Sequence, residues 1–245
     1  MCNLKMERLD KILSSQGVCS RKEIKELLKN KKIKINGAFA AKSDMKINPE
    51  HDIIEIDGVV LPYRKFLYIM MNKPSGVLSA SRDKNTPTVI DLIPDNLRRR
   101  NLFPAGRLDK DTTGLLIITD DGNFAHDMLS PKKHVYKLYE AELDGDFNDA
   151  KKNILESGIT LSDGTVFKPA KIHSDFNNNP RIIHIEICEG KFHQVKRMFE
   201  HVGLSVINLK RLRIGMLNLD KNLAPGECRL LTDEELTLIF NGHSD

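Results

Sequence analysis

Asp109 is the residue of this chain best placed to do chemistry. It follows Arg107-Leu108 in the run Gly106-Arg107-Leu108-Asp109-Lys110-Asp111-Thr112-Thr113-Gly114, which leads straight into an apolar block from Leu115 to Thr119. That order predicts a loop carrying a carboxylate to the mouth of a buried strand. A carboxylate so placed is a ready nucleophile or base. The same loop also reads as a turn stabilised by local Asp and Thr caps. A calcium loop is a third reading, with Asp109, Asp111, Thr113, Gly114 and Asp120 at the ligand positions of an EF-hand. It fails because an apolar strand occupies the place of later ligands, the last position is Asp rather than Glu, and no amphipathic helix precedes the loop.

Other side chains draw notice by type. Tyr139, in Tyr136-Lys137-Leu138-Tyr139, lies on an expected strand, where a tyrosine is ordinarily core or rim. Lys196 and Arg197, in Lys191-Phe192-His193-Gln194-Val195-Lys196-Arg197-Met198-Phe199, fall on a basic amphipathic helix. His193 reads as an orienting or core residue rather than a metal ligand, since no second His, Cys or carboxylate stands at ligand spacing. No metal is expected.

The elements that position these residues follow from periodicity. Leu9, Ile12 and Leu13 make one apolar helical face, Gly17 ends that helix, and Ile24, Leu27 and Leu28 make a second face behind a Ser20/Glu23 capping box. Ile33 to Gly37 alternates into an Asn-Gly hairpin turn, and His51 to Gly58 reads as a strand and turn. Residues 61–66 are a linker. Beyond it, strands are expected at Phe66–Met71, Leu115–Thr119, Val135–Leu143 and Arg181–Glu189, with Ile183, Ile185 and Ile187 on one face of the last and His184 and Glu186 on the other. A loop at Asn177–Pro180 precedes that strand. Helices are expected at Asn123–Leu129, at Phe192–Val202 with Val195, Met198, Phe199 and Val202 buried, and after a Thr232/Glu235 capping box. The fold class is α+β with largely antiparallel sheet.

Charge separates the two parts. Residues 1–34 hold ten Lys and Arg against four Asp and Glu, +6 for this segment and −2 for the rest of a chain of net +4. A basic appendage on a near-neutral body suits a polyanion. Arg21, Lys22 and Lys25 lie on the first turns of the second helix, away from its apolar face. The four cysteines, Cys2, Cys19, Cys188 and Cys228, are scattered, which argues against a disulfide framework or zinc site. No apolar run approaches membrane-spanning length, and the N-terminus lacks an apolar signal region. The expected location is cytoplasmic, with no membrane partner.

These motifs carry a resemblance. Residues 6–60, two helices followed by Ile-x-Ile-Asn-Gly, resemble the S4 RNA-binding fold. Lys73-Pro74-Ser75-Gly76, Gly106-Arg107-Leu108-Asp109, Lys137-Leu138-Tyr139, His193 to Met198 and the tail Leu223-Ala224-Pro225-Gly226-Glu227 are similar, in that order, to the motifs of pseudouridine synthases. His193 to Phe199 and the tail look most like the RsuA type, which acts on small-subunit ribosomal RNA. Lys110 and Met216 sit at variable positions, and Cys228 stands where the tail often carries an aromatic residue.

The resemblance implies an S4-like RNA-binding domain at 1–60 and a pseudouridine synthase catalytic domain at 67–245. It implies isomerisation of a uridine, uridine 516 of 16S ribosomal RNA, after base flipping. Asp109 would be the nucleophile or base, attacking the anomeric carbon, abstracting a sugar proton or adding to the ring. Tyr139 would stack on the uracil, and Lys196 would pair with Asp109. Arg107 and Arg197 would meet RNA, as would Arg21, Lys22 and Lys25. Lys73 is read mainly as structural, with an RNA contact as its expected further role. No cofactor is implied. The partner is ribosomal RNA or a partly assembled subunit, and the chain a monomer. Large-subunit relatives share most of these motifs. An RNA-binding or assembly protein without catalysis would account for the S4-like part, yet not for Asp109, Tyr139 and Lys196 together.

Overall fold

The computed structural model describes residues 6–173 and 179–241. Cys2, and Asn177 and Asn178 of the expected loop, lie outside them. The chain divides into two compact units. One comprises residues up to Phe66 together with Pro94–Asn101, the other Leu67–Ile93 with the chain from Leu102 onward.

In the first unit, α1 (Leu9–Ser15) and α2 (Arg21–Lys29) bury Leu9, Ile12, Leu13 and Ile24 in one cluster with Ile33, Ile47 and Ile54. Each such side chain contributes roughly 1.5–3 kcal/mol through removal from water. The Ser20 hydroxyl accepts from the Glu23 N–H at 3.3 Å, and the Glu23 carboxylate accepts from the Ser20 N–H at 2.6 Å. Two hairpins follow: β1 (Ile33–Ile35) with β2 (Ala38–Phe39), and β3 (Ile54–Ile56) with β4 (Val59–Leu61). Their turns place Asn36-Gly37 and Asp57-Gly58 at positive φ, the geometry a two-residue hairpin requires. Gly17 answers two demands. Its φ is +75°, and a Cβ there would lie 2.5 Å from the Arg98 carbonyl oxygen. Pro94–Asn101 thus returns to this unit, where the Arg99 guanidinium donates to Gln16 at 2.7 Å and to the Arg64 carbonyl at 2.8 Å.

The second unit is built on one sheet of nine strands among the described residues. Seven form its main path: β5 (Tyr68–Lys73), β6 (Thr113–Thr119), β7 (Lys137–Leu143), β8 (Lys171–Ile172), β9 (Ile182–Ile187), β10 (Val206–Ile214) and β11 (Cys228–Leu230). Their order is β8-β9-β7-β10-β6-β5-β11. Every pairing is antiparallel except β10 with β6. The helices are α3 (Gly122–Leu129), α4 (Asp149–Ser157), α5 (Gln194–His201) and α6 (Asp233–Phe240), the last behind the Thr232/Glu235 capping box. The fold is α+β.

Glu186, on the face away from the three isoleucines, is fully buried, where Arg213 reaches it at 2.7 Å and His173 at 3.2 Å. Burial raises its pKa, but these partners outweigh that and hold the carboxyl below the usual range. One expectation needs correction: Val202 is only half-buried, since α5 ends at His201 and leaves it at the cap.

One irregularity matters for the site. Along β7 and β10, Leu138 stands opposite Arg213 and Tyr139 opposite Arg211, so Leu212 is an unpaired extra residue, a β-bulge. Residues two apart in a regular strand share a face. The bulge breaks that rule here. Arg211 shares the face of Tyr139, while Arg213 shares that of Glu186.

Candidate active site

The loop before β6 is pinned from beneath. Lys73, at the end of β5, has no exposed surface. Its ammonium donates to the carbonyls of Pro74 at 3.0 Å, Lys110 at 3.1 Å and Thr112 at 2.9 Å. Burial pushes its pKa down to about 8, against the pull of Asp111 and Asp109. The expected RNA contact of Lys73 is therefore corrected: a fully buried ammonium spent on loop carbonyls cannot meet phosphate. Ser79 adds a second pin, donating to the Leu108 carbonyl at 2.8 Å and accepting from the Leu108 N–H at 3.1 Å. Gly114 lets β6 pass close to β10, since a Cβ would sit 2.3 Å from the Arg211 carbonyl oxygen. Thr113 and Gly114 thus belong to the strand, not to a calcium loop.

Asp109 emerges from this loop with 31% of its side chain exposed. His193 Nε2 lies 3.5 Å from one carboxylate oxygen and Lys196 Nζ 3.7 Å from the other. Lys196 is nearer to a residue given no role from sequence. It donates to both oxygens of Asp111 at 2.7 Å, and this bond holds the Asp111 carboxyl below the usual range. The expected Lys196–Asp109 pair is thus the longer arm of a shared cation. His193 starts α5 in a left-handed conformation, its ring stacked on Phe192 at 3.8 Å between centroids.

Tyr139 is buried on β7 and lines the same cavity as Asp109, His193 and Lys196. Its hydroxyl accepts from Arg211 Nη1 at 3.4 Å, and the guanidinium sits 5.9 Å from the ring centroid. Arg211 was missed in the sequence, although alternation from Leu209 already places it on the face of Tyr139; the bulge at Leu212 sends only Arg213 to the other face. Arg107 is exposed at the rim. Arg197 pairs with Asp163 and lies over the Phe167 ring at 5.6 Å. Arg21, Lys22 and Lys25 are exposed on α2 of the first unit, opposite buried Ile24. Among the described residues, no group of three or more His, Cys, Asp and Glu is arranged to hold a metal ion.

A partly exposed carboxylate between an imidazole and an ammonium, with a tyrosine lining the same cavity, can attack or deprotonate a sugar whose base rests on the ring. Known proteins point the same way. The RNA pseudouridylate synthase family matches residues 67–201, and the S4 domain matches residues 7–53. The chain is 46% identical to the "Uncharacterized RNA pseudouridine synthase YtzG" of Bacillus subtilis, over 95% of this chain and 98% of that one. It is 38% identical to "Ribosomal small subunit pseudouridine synthase A" of Yersinia pestis, over 96% and 99%. It is 39% identical to "Ribosomal large subunit pseudouridine synthase B" of Bacillus subtilis, over 94% of each. On the shared motifs, the matched domains and these near full-length relatives, the chain belongs to the RNA pseudouridine synthases of the RsuA/RluB group.

Proposed function

We propose that this chain isomerises a uridine of small-subunit ribosomal RNA, uridine 516 of the 16S molecule, to pseudouridine in the cytoplasm. Asp109 opens the bond between uracil N1 and the sugar. The base turns, C5 bonds to the anomeric carbon, and the hydrogen on C5 leaves to solvent as a proton. Tyr139 carries the flipped base on its ring. Lys196 and His193 flank the Asp109 carboxylate, at 3.7 and 3.5 Å from its two oxygens.

The observation that carries this reading is the convergence of Asp109, His193 and Lys196 on the cavity that Tyr139 lines. The choice of subunit is supported by the likeness of His193 to Phe199 and of the Leu223–Glu227 tail to the RsuA type. Exposed Arg21, Lys22 and Lys25 on the S4 domain hold the RNA, free or in a partly assembled subunit, through its phosphates.

Ribosomal RNA tritiated at C5 of its uracils tests this directly. Forming the new carbon–carbon bond expels that hydrogen, so stoichiometric release from small-subunit RNA, lost in Asp109→Asn, is expected. Release from large-subunit RNA alone would move the substrate, and release from neither would overturn the activity.

A further inference from the structure

Tyr139 lines two cavities. One contains Asp109. The other, of about 410 Å³, is lined by Lys137, Arg211, Arg107, Lys191 and Glu189 among others. Its charges do not balance. Lys191 answers Glu189 at 3.5 Å. Lys137, Arg211 and Arg107 remain, with no further acidic side chain in the lining among the described residues.

Lys137 and Arg211 are 6% and 4% exposed. Arg211 Nε donates to the Leu115 carbonyl at 2.7 Å, and Nη1 reaches the Tyr139 hydroxyl, but Nη2 is buried with no partner. Among the described residues, the Lys137 ammonium has neither a hydrogen-bond nor an ion-pair partner. Burial, then repulsion from Arg211, pushes its pKa down to about 8. Two cations buried beside one cavity, both with unspent donors, are costly unless an anion joins them. Alternation from Leu209 puts Arg211 on this face, and the Leu212 bulge keeps Arg213 off it.

We propose that this cavity binds a backbone phosphodiester of the RNA, next to the uridine whose base rests on Tyr139, with Lys137 and Arg211 donating to its oxygens. The assignment of base to Tyr139 rests on the function proposed above. A guanidinium with a spare Nη and an ammonium together match a tetrahedral anion. A neutral base would leave both charges unanswered. The cavity is several times larger than a phosphate group, which leaves room for the attached ribose. Because Arg211 also holds Tyr139, the phosphate fixes the group on which the base stacks.

Lys137→Met tests the site while keeping the aliphatic stem. Arg211 is a poorer probe, since its Nε bond to Leu115 ties β10 to β6. RNA oligonucleotides containing the target uridine, with one phosphate at a time replaced by an uncharged methylphosphonate, are bound to wild-type protein and to Lys137→Met. One replacement beside the target is expected to weaken wild-type binding roughly tenfold or more. The same replacement should add nothing to the loss already present in Lys137→Met, whose salt slope falls by about one. Equal sensitivity of both proteins at every position would overturn the site. A second probe needs no RNA, so it decides the site even if the proposed substrate is wrong. Inorganic phosphate should shift the side-chain resonance of Lys137 in wild-type protein where chloride at equal ionic strength does not. A response no different from that to chloride would overturn the proposal.

Discussion

Tyr139 and Arg211 stand opposite each other in register across β7 and β10, and the guanidinium reaches the phenol oxygen at 3.4 Å. The tyrosine is therefore held by its polar end, while its ring is left to face the cavity shared with Asp109. Tyr139→Phe keeps the ring and loses one long hydrogen bond, so RNA affinity should stay close to wild type. Tyr139→Leu removes the stacking face and should weaken binding by about 1–3 kcal/mol. Filter binding of both variants checks this; equal affinity of Leu and Phe variants would refute the stacking role.

Lys196 bridges two carboxylates of unequal exposure. Asp111 is 68% exposed, so its pair with Lys196 is worth little by itself. Asp111→Asn should leave turnover within about tenfold of wild type, because Lys196 still stands beside Asp109. Lys196→Met should lower kcat by about a hundredfold or more through loss of charge at the reacting carboxylate. Single-turnover rates distinguish the two, and a larger loss in Asp111→Asn would make Asp111 the residue that matters.

Lys73 gives the protein a pH signature. Its folded pKa is about 8, against 10.5 for an ordinary lysine. Between those values the unfolded chain binds more protons than the folded one, so stability rises with pH across that window. Lys137, also held near 8, acts in the same direction. Urea unfolding from pH 8 to 10 should show an upward slope, and Lys73→Met should flatten it by roughly half. An unchanged slope would mean that Lys73 titrates normally.

The first unit carries a separable electrostatic grip. Replacing Arg21, Lys22 and Lys25 with Ala should reduce the slope of log affinity against log salt by about 2 to 3. Turnover at saturating RNA should be unaffected, because the cavity around Asp109 lies within the second unit. An unchanged salt slope would remove α2 from the RNA contact.

What could be read from sequence was local. The Ser20/Glu23 and Thr232/Glu235 boxes and the Asn36-Gly37 turn depend on side chains within three residues of their targets, and all three formed. Asp109 was legible because its loop runs into an apolar strand. The structural reading of Lys73 agrees with the fold, but its RNA contact does not, because its carbonyl acceptors arrive from a loop 37 and 39 residues away and bury it. The Arg197–Asp163 pair was out of reach of local reading, because Asp163 comes from 34 residues upstream. The burial of Glu186 was hidden because its partners, Arg213 and His173, come from other strands and loops that no local pattern announces.

The Leu212 bulge acts on β10 as a frameshift acts on a message. Residues before and after it are read in opposite phase, so two arginines that a regular strand would bring to one face instead serve different ends: Arg211 meets Tyr139, and Arg213 neutralises buried Glu186. One unpaired residue thus lets a single short strand supply both the substrate side and the supporting side of the sheet. The facing of any residue beyond it has to be counted from the bulge, not from the start of the strand.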